Sequence, residues 1–112
     1  MAHIPVLLEE TITGLNLKPG AVYVDGTLGS GGHAAAAFQS QKNVTIIGFD
    51  REGDAIKRAG KLLASLGAKP VLINDSFRNF MEKGNRLPWN AVCYSRGRHD
   101  LGFRAFSCFC YL

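Results

Sequence analysis

Residues 24–38 read VDGTLGSGGHAAAAF, and this stretch decides the fold. An apolar segment ends on Asp25, four glycines follow within seven residues, and the sequence then turns to alanine, which favours a helix. Glycine permits tight turns and lets the backbone approach a ligand closely. In open α/β sheets, ligands lie beyond the carboxyl ends of the strands. The stretch therefore predicts a strand, a glycine loop and a helix, with the loop as the floor of a ligand site.

Apolar segments alternate with amphipathic segments along the rest of the chain. We predict strands at 21–25, 44–49, 69–74 and 89–94, and helices at 6–15, 33–40, 52–66 and 77–83. The segment 44–49 is apolar almost throughout, as in a strand covered on both faces. Gly67 suits the end of the helix 52–66, and Ser76 suits the N-cap of the next helix. Strands alternating with helices of crossover length predict an α/β fold, with a parallel sheet and flanking helices.

The composition fits one small globular domain. The chain has 112 residues, of which 46% are hydrophobic and 20% are charged. No apolar run approaches the ~18 residues that a membrane span needs, and Glu9 and Glu10 interrupt the apolar start. We therefore expect a cytoplasmic protein that has no membrane partner.

The net charge of +4 is concentrated in the C-terminal part of the chain. Residues 1–84 hold nine Lys/Arg and eight Asp/Glu, whereas residues 85–112 hold four Arg and one Asp. Charge balance alone therefore does not predict nucleic-acid binding. The three cysteines, Cys93, Cys108 and Cys110, lack a second pair of metal ligands, so we predict no metal site. Their odd number argues against a disulfide framework.

The kind of ligand is indicated by two acids. Asp50 ends the second strand, 18 residues after Gly32, and an acid at about this distance typically accepts hydrogen bonds from a ribose diol. The loop matches neither G-x-G-x-x-G nor a P-loop, and Asp25 would repel a pyrophosphate. S-adenosylmethionine, which carries a sulfonium, an ammonium and a ribose diol, would suit both acids. Alternatively, the glycine turn serves the fold alone and Asp50 caps a helix.

Four segments carry a family resemblance. HIPVLLEETI, VYVDGTLGSGGHAAA, IIGFDRE and FRNF, which lie between His3 and about Lys83, resemble the RsmH (MraW) family. Its members are bacterial S-adenosylmethionine-dependent enzymes that methylate N4 of a cytidine in 16S rRNA. The resemblance implies a Rossmann-like methyltransferase fold and S-adenosyl-L-methionine as cofactor. It also implies 16S rRNA, or the small ribosomal subunit, as partner, bound through regions of the family that we expect this chain to lack.

The resemblance assigns roles to individual residues. Gly31, Gly32 and His33 match the cofactor-binding G-G-H of the family, and Asp50 matches its ribose-binding acid. Phe77 matches a residue that lines the adenine region. His33 could instead be a helix residue with a solvated ring, and Phe77 could simply pack in the core.

Three further residues complete the predicted site. Asp25 and Gly29 belong to the same glycine loop and are cofactor-binding candidates. Asp100 matches a family acid at the end of the fourth strand, beside the cofactor and the target amine. It is the catalytic candidate, because an acceptor near the amine would help to localise the nitrogen lone pair. It could equally hold only the cofactor.

The C-terminal part departs from the family pattern. The family continues after D-L-G with V-S-S and a Gln that reaches the cofactor, whereas Ser107 stands at the place of that Gln. Loss of one base from codons for V-S-S-F-Q-L, just after Gly102, would yield residues 102–108 as they stand. We therefore expect residues 1–84 to be the N-terminal part of a cofactor-binding domain. We expect residues 85–112 to be a divergent tail, with an incomplete fourth strand and then out-of-frame sequence.

We expect the chain to be a truncated, inactive methyltransferase, and the sequence does not indicate its oligomeric state. Two alternatives stay open. One is a non-catalytic chain that binds nucleosides or S-adenosylmethionine. The other is a methyltransferase of the same fold with another substrate.

Overall fold

The structure is a computed structural model of the chain, and it describes residues 15–94 and 106–107. The strands are β1 Val22–Asp25, β2 Thr45–Phe49, β3 Val71–Ile73, β4 Ala91–Tyr94 and β5 Phe106–Ser107. The helices are α1 Gly32–Ser40, α2 Gly53–Ser65 and α3 Phe77–Glu82. These elements confirm the predicted strands and helices from residue 21 to residue 94. The helix predicted at 6–15 lies, apart from Leu15, outside the described residues.

The strands form one sheet in the order β3-β2-β1-β4-β5. The first four strands are parallel, with Val24 of β1 beside Ile47 on one side and Cys93 on the other. The chain runs outward from β1 to β3 and then returns to place β4 on the opposite side of β1. The sheet therefore reverses its strand order next to β1, where ligands bind in folds of this class. The predicted Rossmann-like α/β fold is confirmed.

The fifth strand was not predicted. β5 runs antiparallel to β4 and pairs Phe106 with Cys93 and Ser107 with Val92. Cys93 is disulfide-bonded, although the odd number of cysteines argued against a disulfide framework. Strand pairing at the edge of the sheet depends on the folded chain, and periodicity over two residues carries no signal for it.

Two apolar clusters cover the two faces of the sheet. Side chains alternate along β1, so Tyr23 faces one cluster and Val24 the other. The first cluster includes Leu63 of α2 together with residues of α1, and the second includes Phe77 of α3. Phe49 lies in the second cluster and contacts the Phe77 ring edge-on, with 5.4 Å between the ring centroids. The parallel sheet is therefore covered by helices on both sides.

Two helix-end signals read from the sequence are confirmed. The backbone N–H of Asn79 donates to the Ser76 hydroxyl at 3.0 Å, which makes Ser76 the N-cap of α3. Gly67, just after α2, has a φ of +90° and donates its N–H to the carbonyl of Ala64 at 3.0 Å. Among the described residues, no helix combines the length and apolarity that crossing a membrane requires.

The neighbouring leucines of α2 test which face of the helix stabilises the fold. Leu63 is 0% exposed and Leu62 is 37% exposed. We expect Leu63→Ala to lower the free energy of unfolding by about 2–5 kcal/mol, because it leaves a cavity in the core. Leu62→Ala, the matched control, should cost less than about 1 kcal/mol. Chemical denaturation of both variants measures the difference, and equal losses would contradict this assignment of faces.

Candidate functional site

An open cleft of about 490 Å³ lies at the carboxyl ends of β1 and β2. Its volume falls within the range of small-molecule sites. The glycine loop, the end of β2 and the first turns of α2 and α3 contribute its walls. The lining residues are Gly26, Thr27, Gly29, Phe49, Asp50, Arg51, Glu52, Ala55, Arg58, Ser76, Phe77 and Arg78. The cleft therefore contains three predicted site residues, namely Gly29, Asp50 and Phe77.

The glycine loop is anchored to β2 through its one apolar residue. Leu28 is 3% exposed, and its backbone N–H donates to the carbonyl of Phe49 at 2.9 Å. Its own carbonyl accepts from the N–H of Gly31 at 2.9 Å. Gly29 and Gly31 have φ values of +57° and +91°, which residues with a Cβ adopt only at a cost. The loop is thus a defined turn, and two of its glycines are required by backbone geometry.

Asp50 links the loop to α2. One carboxylate oxygen accepts from the N–H of Gly29 at 2.9 Å, and the other accepts from the N–H of Glu52 at 2.9 Å. The side chain is partly exposed and lines the cleft. A carboxylate has about four lone-pair positions, so two remain for a ligand hydroxyl pair. The helix-capping role and the ligand-binding role are therefore compatible.

Asp25 lies beneath the loop and is 1% exposed. One of its carboxylate oxygens accepts from the backbone N–H of Thr27 at 3.0 Å, and the other accepts from the hydroxyl of Tyr23 at 3.2 Å. It is not among the residues that line the cleft. The observed contacts shape the turn, and direct contact between Asp25 and a cofactor stays a prediction.

Gly31, Gly32 and His33 form the junction between the loop and α1. A Cβ on Gly31 would lie 3.0 Å from the Cβ of Ala59, so the loop packs directly on α2. The Gly32 Cα, by contrast, faces open space. His33 is 5% exposed, so the alternative of a solvated ring is wrong. None of the three lines the described cleft, and their cofactor contacts stay predictions, as does the role of Asp100, which lies outside the described residues.

Phe77 serves the core and the cleft together. The side chain is 5% exposed, packs edge-on against Phe49, and borders the cleft with it. The two alternatives that the sequence left open for Phe77 are therefore both consistent with its position. Among the described residues, no cluster of His, Cys, Asp and Glu could hold a metal ion.

Sequence reasoning missed the arginines of the cleft. Arg51 follows Asp50 directly, Arg58 lies in α2 three residues after Ala55, and Arg78 is in the first turn of α3. They lie apart along the sequence, and no spacing rule connects them. Only the packing of two helices on opposite faces of the sheet brings these elements to one cleft.

Asp75 fixes the start of α3, which carries Ser76, Phe77 and Arg78 into the cleft. Its carboxylate accepts from the side-chain amide of Asn79 at 2.8 and 3.0 Å and from the N–H of Ser76 at 2.7 Å. The Lys83 ammonium lies 3.5 Å away. The hydrogen bonds from Asn79, then that from Ser76, and the charge of Lys83 hold the pKa of Asp75 below its ordinary value of 3.8.

Gly31→Ala tests whether the glycine loop requires a residue without a Cβ at this position. We expect a loss of about 1–3 kcal/mol in the free energy of unfolding, because the positive φ and the contact with Ala59 both oppose a Cβ. Gly60→Ala, in the middle of α2, is the control. A Cβ there makes only a 3.4 Å contact with Leu72, and the change should stabilise the helix by up to about 1 kcal/mol. If chemical denaturation shows equal effects for the two variants, the loop does not require a glycine at position 31.

The second prediction concerns pH. Because the folded-state pKa of Asp75 is lowered, its carboxylate stabilises the fold above the unfolded pKa and loses this effect as pH falls through the folded pKa. The stability difference between the wild type and Asp75→Asn should therefore shrink below about pH 4. In an Asn79→Ala background, which lacks the largest cause of the lowered pKa, Asp75→Asn should change the stability less at neutral pH than it does in the wild type. A difference that stays constant down to pH 2 would contradict the lowered pKa.

Comparison with known proteins places the chain in a family. Residues 1–103 match the MraW methylase family. A ribosomal RNA small subunit methyltransferase H from Carboxydothermus hydrogenoformans is 43% identical over 91 residues, which are 81% of this chain and 29% of that protein. The chain spans less than a third of the length of this and similar relatives.

Two solved structures share the fold. An rRNA methylase from Streptococcus thermophilus aligns with a TM-score of 0.63 at 22% identity, over 83% of this chain and 52% of that one. A SAM-dependent methyltransferase from Geobacter sulfurreducens, in complex with S-adenosyl-L-homocysteine, aligns with a TM-score of 0.64 at 20% identity, over 91% and 40%. At these identities the likeness establishes the fold alone. With the family match over residues 1–103, the chain belongs to the MraW methylase family.

Proposed function

We propose that this chain carries the S-adenosylmethionine site of an rRNA methyltransferase that acts on N4 of a cytidine in 16S rRNA. The observation that carries the proposal is the position of Asp50. Its carboxylate lies at the carboxyl end of β2, holds the glycine loop and faces a cleft of suitable volume. Family membership and the names of the relatives support the reaction class.

The residues of the cleft fit S-adenosylmethionine by their chemistry. The two remaining lone-pair positions of Asp50 suit a ribose diol. Gly29 presents backbone without a side chain, so a ligand can approach the loop closely. Phe49 and Phe77 offer apolar surface to an adenine ring. The loop lacks the G-x-G-x-x-G spacing that would favour a pyrophosphate.

When bound, S-adenosylmethionine supplies an electrophilic methyl group on its sulfonium for attack by an amine nitrogen. The residues of this chain would contribute by binding and orienting the partners and by excluding water, which is a large part of catalysis in displacement reactions. Asp50 and the glycine loop would hold the cofactor. Asp100 would accept a hydrogen bond from the target amine, a role that rests on the family resemblance.

A non-catalytic, cofactor-binding chain is the second candidate. The observation that favours it is that every described residue of the cleft lies between Gly26 and Arg78. Cofactor binding would therefore need little of the additional length that the relatives possess. For the methyltransferase, the partner would be 16S rRNA or the small ribosomal subunit, and the place of action would be the cytoplasm.

Asp50→Asn tests the cofactor site directly. We expect it to weaken S-adenosylmethionine binding by at least tenfold, about 1.4 kcal/mol, because the neutral amide cannot accept as many hydrogen bonds as the carboxylate. Isothermal titration calorimetry on the 112-residue chain measures the affinity. Asp54→Asn is the matched control, since this exposed acid in the first turn of α2 lies outside the cleft.

Three results would bear against the proposal. Absence of binding by the wild type would refute a cofactor site in this chain. Equal affinity of the wild type and Asp50→Asn would refute the role of Asp50. A parallel loss in Asp54→Asn would show that binding follows net charge. Thermal melting of each variant separates loss of binding from loss of folding.

A further inference from the structure

Three arginines from three different elements line the cleft. Arg51 follows β2, Arg58 lies in α2, and Arg78 is in the first turn of α3. All three residues are exposed. In the part of the chain that the structure describes, none of their guanidinium groups forms an ion pair with a carboxylate. Three guanidinium groups therefore face one opening, and neither Asp50 nor Glu52, the two acids of its lining, forms an ion pair with them.

The cofactor alone does not account for these charges. S-adenosylmethionine carries one carboxylate, and its sulfonium and ammonium groups are themselves positive. One carboxylate can engage one guanidinium fully, in a bidentate pair. With Asp50 and Glu52, the lining of the cleft has three positive and two negative side chains, and the carboxylate of Asp50 accepts from two backbone N–H groups. The arginines therefore fit a ligand with several anionic groups at the mouth of the cleft.

We propose that Arg51, Arg58 and Arg78 form a phosphate-binding rim that holds the backbone of single-stranded RNA beside the cofactor cleft. The inference rests on the proposed function and names residues for its substrate side. Arginine presents a planar fork of donors that matches phosphate oxygens, and it is less strongly hydrated than lysine. Phosphate contacts position an RNA without reading its sequence, so this rim orients the strand and other groups select the base.

Single-stranded RNA suits this arrangement better than a duplex does. An enzyme that modifies the exocyclic amine of a base needs that base outside a helical stack. The phosphates flanking such a base then lie at the edge of the pocket that receives it. An overall charge close to balance over residues 1–84 does not conflict with this role, because the positive groups converge at one opening.

The experiment compares two triple variants of the 112-residue chain. Arg51→Gln, Arg58→Gln and Arg78→Gln together remove the rim. The control variant removes three charges from the segments that precede β1, β2 and β3, at the amino ends of the strands. It combines Lys18→Gln, Lys42→Gln and Lys69→Gln, all at exposed residues. A fluorescein-labelled 12-nucleotide single-stranded RNA is the probe, and anisotropy titrations between 50 and 200 mM salt give the affinity and its salt dependence.

We expect the rim variant to bind the RNA at least tenfold more weakly. The slope of log K against log salt should fall by about 2, since each lost phosphate contact on a single strand contributes about 0.7. The control variant should keep the slope of the wild type within about 0.7, that is, within one contact. Equal losses in both variants, or no RNA binding by the wild type, would overturn the proposal.

Cofactor binding, measured on the same samples, separates this inference from the proposed function. The rim variant should keep its affinity for S-adenosylmethionine within about threefold of the wild type, well under the tenfold that corresponds to 1.4 kcal/mol. A loss above tenfold would assign the arginines to the cofactor and overturn the rim. Absence of cofactor binding by the wild type, with RNA binding intact, would refute the proposed function alone. If the triple variant fails to melt cooperatively, two single variants decide. The slope should fall by about 0.7 in Arg58→Gln and should not change in the control Lys42→Gln.

Discussion

The carboxylate of Asp50 holds together the parts on which the cleft depends. With one oxygen on the N–H of Gly29 and the other on the N–H of Glu52, it fixes the glycine loop relative to the start of α2. The register of the sheet places Asp50 there. Gly48 of β2 pairs with Asp25 at the end of β1, and β2 ends one residue later, at Phe49, so that Asp50 follows directly. A hydrogen bond to a charged acceptor contributes about 1.5–3 kcal/mol to stability, more than a hydrogen bond between neutral groups.

Close packing explains why the loop contains so many glycines. Gly31 lies against Ala59, and Gly48 of β2 lies under the loop, where a Cβ would be 2.7 Å from a methyl group of Leu28. The loop is therefore pressed between a helix and a strand, and its backbone takes the place that side chains would otherwise fill. Asp25 supports the same turn from below through the N–H of Thr27. Loop, strand and helix thus form one packed unit.

The sequence predicted the elements well because their signals are local. The apolar run at 44–49, the C-terminal Gly67 and the N-cap Ser76 each act within a few residues, and each appears in the structure as expected. Asp50 was predicted as a site residue because an acid at the end of a strand in this fold faces the cleft by topology.

Features that depend on distant packing could not be predicted in the same way. The burial of His33 and Asp25 follows from what covers them in the folded chain, and neither residue type signals it. The convergence of Arg58 and Arg78 depends on two helices lying on opposite faces of one sheet. The antiparallel β5 spans two residues, too short for any periodic pattern.

The described cleft is built from one uninterrupted stretch of sequence, from Gly26 to Arg78. Proteins are synthesised from the N-terminus at about 5–20 residues per second, and a domain generally folds as a unit. β4 follows this stretch in the sequence, yet it pairs with β1, the first strand. Until β4 has been synthesised, β1 therefore has one unpaired edge, and the residues of the cleft rest on an incomplete sheet.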